Sequence, residues 1–192
     1  MLSHDFGEIA ALQRAGEWDQ LSQIMCDSAA ALKAGGADCV VICTNTMHKL
    51  APQMEAACDL PLIHIADPVA EAIKDKGLNK IALLGTAFTM EQDFYRGRLS
   101  DLHGLEVIVP DTDDRAEVHR VIYDELVSGK VLETSRAAYR DIIARLAARG
   151  AQGVILGCTE IMLLIDQSDS AVPLFDTTGL HAAAATRFAF SE

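Results

Sequence analysis

Apolar positions along this chain alternate between helical spacing and short continuous runs. Between residues 17 and 34, apolar and small residues recur every three or four positions, which predicts an amphipathic helix that ends at Gly35-Gly36. Residues 39–43 then form a short apolar run with two adjacent valines and an isoleucine, as in a buried parallel strand. The same alternation of helix and strand continues to the end of the sequence.

The predicted elements alternate with short connections and no low-complexity linker. Further strands are expected at residues 61–65, 80–84, 105–109, 153–156 and 173–175. Further helices are expected at residues 48–57, 68–76, 89–102, 114–128, 132–149 and 178–189. Strands that alternate with helices build βαβ units, so the predicted fold class is α/β with parallel sheets.

Two segments of the chain resemble each other and indicate an internal duplication. Residues 36–45 (GADCVVICTN) and residues 150–159 (GAQGVILGCT) each follow a predicted helix. We therefore expect two pseudo-symmetric Rossmann-like halves with a cleft between them: residues 1–77 plus 177–192, and residues 78–176. In this register Cys158 matches Thr44, and Cys43 matches Gly157.

Both copies of the repeat place polar residues where a parallel strand is followed by a helix. Ligands of open α/β sheets bind at these carboxyl ends, and the backbone N–H groups of a helix start attract carboxylates. The same field is expected to lower the pKa of the Cys158 thiol from about 8.5 toward neutrality. Cys158 is therefore the best candidate for a catalytic acid/base.

Composition narrows the classes of function. The 192-residue chain is 50% hydrophobic and 23% charged, as is usual for a soluble globular protein, and its net charge of −12 argues against nucleic acid or an anionic membrane as a partner. No signal peptide or membrane-length apolar run is visible. The five cysteines form no C-x-x-C pair, so we expect no metal site and a reducing, cytoplasmic compartment.

Three motifs carry a resemblance to a known family. They are CTNTMHK at residues 43–49, GTAFTM at residues 85–90 with EQDFY after it, and LGCTEI at residues 156–161. Together they resemble the aspartate/glutamate racemases, and most closely the broad-specificity amino-acid racemase branch, over nearly the whole chain. The resemblance implies two similar α/β halves facing a cleft, a homodimer, and a small-molecule amino-acid substrate. It also implies that neither pyridoxal phosphate nor a metal is used.

The same resemblance implies roles for individual residues. In the family one group removes the α-proton from one face of an amino acid, and a second group returns a proton to the other face. Cys158 is expected to be one of these groups and Thr44 the other, with Cys43 as the alternative to Thr44. Further residues are expected to hold the substrate or to tune Cys158: Asn45, Thr46, Thr86, Thr159 and Glu160.

Two departures from the family pattern add expectations. Thr44 stands where many members have cysteine, so Thr44 donates or relays a proton, Cys43 acts from a different angle, or one direction of the reaction is favoured. The family also begins with an additional strand, a glycine-rich turn and a helix, whereas this chain opens with MLSHD. We expect that unit to be missing, and a chain extended by it to be more stable and more active.

Several alternatives stay open. Hydantoin racemases, maleate isomerases and arylmalonate decarboxylases carry related motifs, and a catalytically impaired or non-enzymatic amino-acid-binding protein would fit the same fold. A sugar- or nucleotide-binding protein has less support, because no G-x-G-x-x-G or Walker sequence is present. His48 is expected to support site residues from behind or to pack, and His64 to be a core histidine with its hydrogen bonds satisfied. The candidate partners for a distal carboxylate of the substrate are Arg96, Arg98 and Arg115.

Overall fold

A computed structural model of the protein describes residues 1–191. Its internal contacts divide the chain into two compact units, one of residues 1–42 and 49–63, the other of residues 43–48 and 64 onward. The bounds of these units differ from those of the two halves expected from the repeat, and the division into those halves stays a prediction. Within residues 1–191 no helix combines the length and the apolar character needed to cross a membrane.

The first unit is helical. It contains α1 (Phe6–Ala15), α2 (Trp18–Ala34) and α3 (Ala51–Cys58), of which α2 and α3 pack against each other. The sequence pattern did not predict α1, which begins where the Asp5 carboxylate accepts a hydrogen bond from the Glu8 N–H at 3.1 Å and ends at Gly16 with a φ of 74°.

The strands predicted at residues 39–43 and 61–65 are wrong as extended elements. Only Val40 and Leu62 pair, in a single parallel bridge. The Val40 N–H donates to the Pro61 carbonyl at 2.9 Å, and the Ile63 N–H donates to the Val40 carbonyl at 3.0 Å. The apolar run does not grow into a ladder here, because a strand needs a partner along its length and this one has a partner at a single residue.

The second unit contains a parallel sheet, which confirms the α/β fold class. Its strands are β1 (Lys80–Gly85), β2 (Glu106–Ile108), β3 (Val154–Gly157) and β4 (Leu174–Asp176), in the order β2-β1-β3-β4. The two central strands are buried almost throughout, as expected of a sheet covered on both faces.

Helices cover both faces of this sheet. They are α4 (Ala66–Asp75), α5 (Ala87–Glu91), α6 (Asp93–Asp101), α7 (Thr112–Asp124), α8 (Glu133–Ala148), α9 (Ile161–Leu164) and α10 (Thr177–Phe190). Side chains of β1 alternate between two apolar clusters. Ile81 and Leu83 pack with α4 and α6, whereas Ala82 and Leu84 pack with α7 and α8.

The carboxyl ends of β1 and β3 approach each other unusually closely. Gly85 is paired with Gly157 in the sheet register. A Cβ atom on Gly157 would lie 2.7 Å from the Leu84 carbonyl oxygen, and one on Gly85 would lie 2.8 Å from the Gly157 carbonyl oxygen. Only glycine fits at either position, and the residues that follow these strand ends, Thr86 and Cys158, are therefore brought to one edge of the sheet.

Candidate active site

Three threonine hydroxyls meet after the end of β1. Thr46 Oγ1 lies 3.1 Å from Thr86 Oγ1 and 3.4 Å from Thr89 Oγ1, and the last two atoms are 3.3 Å apart. All three side chains are buried. Thr86 is also the N-cap of α5, where its hydroxyl oxygen accepts from the Thr89 N–H at 3.4 Å. This threonine triangle connects the loop of the first motif to the strand end that carries Thr86.

A second connection joins the first motif to the end of β3. The side-chain amide nitrogen of Asn45 donates to Thr177 Oγ1 at 3.1 Å, and the Thr177 hydroxyl donates to the Leu156 carbonyl at 2.9 Å. Leu156 lies two residues before Cys158. The amide oxygen of Asn45 is buried and has no hydrogen-bond partner among the described residues. A buried acceptor without a partner is uncommon in native proteins, and it suits a ligand that brings a donor.

His48 fixes the backbone of the first motif. Its Nε2 atom lies 3.1 Å from the Ile65 N–H, and its Nδ1 atom lies 2.7 Å from the Thr44 carbonyl oxygen. Because a backbone N–H can only donate, Nε2 accepts, and the proton of the neutral ring sits on Nδ1 and is donated to Thr44. Burial lowers the pKa of His48 well below its usual range, and the neighbouring His64 lowers it further.

His48 belongs to a cluster of three buried histidine rings. Its ring centroid lies 4.5 Å from that of His64 and 5.6 Å from that of His181. Burial, together with the Arg98 cation, lowers the pKa of His64 to about 4. The three rings stand behind the first motif, and within residues 1–191 no group of His, Cys, Asp or Glu side chains is arranged to hold a metal ion. His48 is buried and holds the backbone of the motif through two hydrogen bonds, as expected of a residue that packs or supports the site from behind.

Cys158 is paired with the carboxylate two residues after it. The Cys158 thiol donates to Glu160 Oε2 at 2.9 Å, and both side chains are half-buried. Burial raises the pKa of the Cys158 thiol well above its usual range, and the Glu160 carboxylate raises it further. These effects outweigh the backbone N–H groups of Thr159 and Glu160, which favour the thiolate.

The expectation that the helix start would lower the pKa of Cys158 is therefore wrong. The helix that follows, α9, has only four residues, so few aligned peptide dipoles face the sulfur. An adjacent carboxylate disfavours a second negative charge at close range, and burial removes the water that would stabilise a thiolate. The resting group is a thiol whose proton is shared with Glu160.

The other predicted residues differ in exposure. Thr44 is half-buried, and its carbonyl oxygen is the acceptor for His48. Cys43 is exposed, whereas Thr159 is half-buried beside Cys158. Cys43 is thus the more solvent-exposed of the two candidates for the second acid/base.

The three arginines considered for a distal carboxylate are placed differently. Arg98 makes two hydrogen bonds of 2.7 Å with the Asp67 carboxylate, and Arg115 binds Glu91 at 3.0 Å. The Arg96 Nε atom is buried and has no hydrogen-bond partner among the described residues. Two of the three cations are therefore already neutralised by acidic side chains of the chain itself.

Two residues of this arrangement were missed by sequence reasoning. Thr89 lies inside the quoted GTAFTM motif, and its position three residues after the N-cap Thr86 would have placed both hydroxyls on one turn. Thr177 lies outside all three motifs and outside both segments of the repeat, so no sequence signal pointed to it.

Known proteins resemble this chain over nearly its whole length. The sequence model of the Asp/Glu/Hydantoin racemase family matches residues 1–185. The chain belongs to this family. A crystal structure of a candidate Asp/Glu racemase from Yersinia pestis is 55% identical, with a TM-score of 0.91, over 98% of this chain and 82% of that one.

More distant relatives carry the same kind of name. An aspartate racemase homologue from Pyrococcus horikoshii has a TM-score of 0.84 at 34% identity, covering 99% of this chain and 82% of its own. The broad-specificity amino-acid racemase RacX of Bacillus subtilis is 24% identical over 160 residues, which are 83% of this chain and 68% of RacX. The resemblance seen in the motifs is confirmed, and this member of the Asp/Glu/Hydantoin racemase family is an enzyme of the isomerase class.

Proposed function

We propose that the protein racemises an amino acid by a two-base mechanism that uses no cofactor, with Cys158 and Thr44 as the proton-handling groups. The observation that carries the proposal is the 2.9 Å hydrogen bond from the Cys158 thiol to Glu160 at the end of β3. It supplies both parts of an acid/base: a sulfur that takes a proton and a carboxylate that receives the thiol's own proton.

The first half of the reaction runs on the Cys158 face. The thiol proton passes to Glu160, and the resulting thiolate removes the α-proton of the substrate, so that the carbon–hydrogen bond breaks and a sulfur–hydrogen bond forms. A thiol whose pKa is raised gives a stronger base once it is deprotonated. This matters because the α-proton of an amino acid is a very weak acid.

The second half of the reaction runs on the Thr44 face. The Thr44 hydroxyl donates its proton to the α-carbon from the opposite side, the alkoxide that forms takes a proton from water, and the resulting hydroxide takes the proton held by Glu160. In the reverse direction Thr44 first loses its proton to the solvent, its alkoxide removes the α-proton, and the Cys158 thiol protonates the other face and regains a proton through Glu160. The two faces are chemically unequal, because a hydroxyl is a far weaker acid than a thiol.

Substrate binding in this proposal uses the first motif and the end of β1. The unpartnered amide oxygen of Asn45 accepts from the substrate's ammonium group. The α-carboxylate accepts hydrogen bonds from hydroxyls of the threonine triangle, which includes Thr46 and Thr86, and from Thr159 near Cys158. Fixed donors around the carboxylate also stabilise the negative charge that develops on it when the α-proton leaves.

Exchange of the α-proton in heavy water tests this proposal. Wild-type protein, treated with a metal chelator and given no pyridoxal phosphate, is incubated in D₂O with L-aspartate, L-glutamate or L-alanine. Deuterium incorporation and chirality are then followed by NMR and chiral chromatography. We expect deuterium to enter at the α-carbon and the other enantiomer to accumulate.

The matched variants are Cys158→Ser and Cys43→Ser. We expect Cys158→Ser to lose exchange by about a thousandfold or more, since a serine hydroxyl is a much poorer base. Cys43→Ser should stay within twofold of the wild type. Full retention of exchange by Cys158→Ser would refute the role of Cys158, and binding of an amino acid without any exchange would favour the amino-acid-binding alternative.

The remaining expectations from the sequence are part of the same proposal. A homodimer and a reducing, cytoplasmic compartment fit a racemase with free cysteines, which the structure records at Cys26, Cys39, Cys43, Cys58 and Cys158. Sedimentation measures the oligomeric state directly. Assays with a hydantoin and with maleate separate amino-acid racemisation from the reactions of related enzymes.

A further inference from the structure

We propose that Thr177 is a positioning residue that fixes the side-chain amide of Asn45, so that its oxygen faces the substrate's ammonium group. The inference rests on the proposed function for the identity of the ligand. It starts from the position of Thr177, which is 0% exposed and begins α10 directly after the N-cap Asp176. A buried β-branched side chain at a helix start has few rotamers available, so its hydroxyl is held in one place.

The orientation of the Asn45 amide follows from counting protons. Thr177 has one hydroxyl proton, and the Leu156 carbonyl at 2.9 Å can only accept it. The Thr177 oxygen is then left as an acceptor, and the group facing it at 3.1 Å must be a donor. Of the two ends of the Asn45 amide, only the nitrogen is a donor.

The opposite orientation is ruled out by the same count. A rotated amide would set the Asn45 oxygen against the Thr177 oxygen, with a proton between them only if Thr177 gave up its bond to the Leu156 carbonyl. It would also take the amide nitrogen of a side chain that is 3% exposed away from its acceptor Thr177. The Leu156 carbonyl, relayed through Thr177, therefore determines which end of Asn45 is presented.

This orientation selects the chemistry of the ligand. The presented end is a buried carbonyl oxygen with no partner among the described residues. Such an oxygen is satisfied by a donor, and a cationic ammonium group gives the strongest hydrogen bond to it. A ligand that lacks the ammonium group leaves the oxygen unsatisfied, so Thr177 contributes to the preference for amino acids over the corresponding plain carboxylic acids.

The experiment compares pairs of ligands that differ only in the ammonium group. The probes are L-aspartate with succinate, L-glutamate with glutarate, and L-alanine with propionate. Their dissociation constants are measured by calorimetry in a Cys158→Ser background, where no turnover occurs. The variants are Thr177→Val, which keeps the shape and removes the hydroxyl, and Thr177→Ser, which keeps the hydroxyl.

We expect Thr177→Val to weaken binding of the amino acid about tenfold while the ammonium-free partner changes by less than twofold. Thr177→Ser should keep the ratio of the wild type. A purely structural role would weaken both members of a pair equally, and that result, or an unchanged ratio in Thr177→Val, would overturn the inference. If Thr177→Val does not fold, Thr177→Ala serves as the second variant without a hydroxyl.

A measurement without ligand separates this inference from the proposed function. The chain has two asparagines, Asn45 and Asn79, so their side-chain amide signals in a ¹⁵N-¹H spectrum are easily assigned. We expect the Asn45 pair to move and to exchange faster with water in Thr177→Val but not in Thr177→Ser, while the Asn79 pair stays fixed. Unchanged Asn45 signals would overturn the inference, whereas a wild type that binds none of the probes would overturn the proposed function.

Discussion

Side chains hold residues 43–48 of the CTNTMHK motif in place, whereas the backbone of β3 holds residues 157–160 of the LGCTEI motif. Asn45 is tied to Thr177 and Thr46 to Thr86 by side-chain hydrogen bonds. His48 adds two bonds to backbone groups. In the LGCTEI motif Gly157 is a member of the sheet ladder, and the Cys158 thiol is hydrogen-bonded to Glu160.

The difference fits a division of roles between the two copies that the repeat predicts. The first copy is a frame of buried polar side chains, well suited to holding the charged ends of an amino acid. The second copy keeps the group with the strongest proton chemistry, a thiol beside a carboxylate. In the proposed mechanism Thr44, the counterpart of Cys158, handles the proton on the other face with a much weaker acid, and the predictions below test how unequal the two copies are.

The largest effect is expected at Thr44 itself. Thr44→Val removes the hydroxyl, and we expect racemisation to fall about a thousandfold, within the range typical of a lost general acid. Deuterium exchange on the Cys158 face should persist, because that face keeps its own acid and base. Chiral chromatography measures the rate of racemisation, and NMR in D₂O measures the deuterium exchange.

Thr44→Ser is the matched control, since it keeps the hydroxyl, and it should stay within a few-fold of the wild type. Racemisation by Thr44→Val at a rate near that of the wild type would contradict the assignment. In that case the double variant Thr44→Val with Cys43→Ser shows whether Cys43 is the second group.

The next effect concerns the strand ends, where the two copies carry different residues in the same register. Gly157→Ala places a Cβ atom 2.7 Å from the Leu84 carbonyl oxygen and 2.8 Å from Leu83 Cδ1. We expect the free energy of unfolding to fall by about 3 kcal/mol, because neither the strand nor a buried side chain can yield. Cys43→Ala, the matched change in the exposed first copy, should stay within about 0.5 kcal/mol. Urea unfolding measures the free energy of unfolding of both variants. Equal losses would contradict the difference between the two copies.

Periodicity and turn chemistry predicted the fold of the second unit within one or two residues at each strand. The runs at 80–84 and 153–156 are buried except at Lys80, which is half-buried, and they became β1 and β3. The similar run at 39–43 did not become a strand, because a sequence pattern reports burial but not whether a partner strand lies alongside. Helix 89–102 was predicted as continuous, yet it breaks at Gln92, which is extended with a ψ of 153°.

The candidate site was predictable as a set of residue types but not as an electrostatic environment. The repeat pointed to Cys158 and the family resemblance added Asn45, Thr46 and Thr86, all of which lie in the second unit. The raised pKa of Cys158 was not predictable, since it depends on burial and on the rotamer that brings Glu160 to the sulfur. The contact of Asn45 with Thr177 spans 132 residues, and no local pattern encodes such a pairing.

A smaller effect is expected from acid, through the histidines behind the first motif. Because the folded pKa of His64 is about 4 and the unfolded value is about 6.5, the unfolded chain binds more protons between these values. The stability from neutral His64 is complete above the unfolded pKa and is lost as the pH falls toward the folded pKa. We expect His64 to contribute a loss of about 2 kcal/mol between about pH 7 and pH 5.

His64→Asn isolates this contribution, because an asparagine oxygen can still accept from the Ala66 N–H, as His64 Nδ1 does at 3.2 Å, but does not titrate. Arg98, Asp67, His103 and His181, which act on the pKa of His64, are unchanged in the variant. Urea unfolding across this pH range should show a shallower dependence in His64→Asn. Identical pH profiles for both proteins would mean that His64 is equally protonated in the folded and unfolded states.

The smallest effect separates the pKa of the thiol from the rate of the reaction. Glu160→Gln removes the negative charge that helps to raise the pKa of Cys158, so the pKa of the thiol should fall while burial keeps it above its usual range. Racemisation should nevertheless slow by about tenfold, because the amide accepts no proton from the thiol.

Alkylation by iodoacetamide across a pH series reports the pKa of the Cys158 thiol. The extent of reaction is read from the peptide that contains Cys158, with the exposed Cys43 as an internal reference. A lower pKa of the Cys158 thiol together with slower racemisation in Glu160→Gln would show that Glu160 serves as the proton acceptor. Faster racemisation in Glu160→Gln would instead show that the carboxylate only restrains the sulfur. The second copy of the motif would then depend on the thiol alone, and its advantage over Thr44 would come from sulfur chemistry and not from the pair.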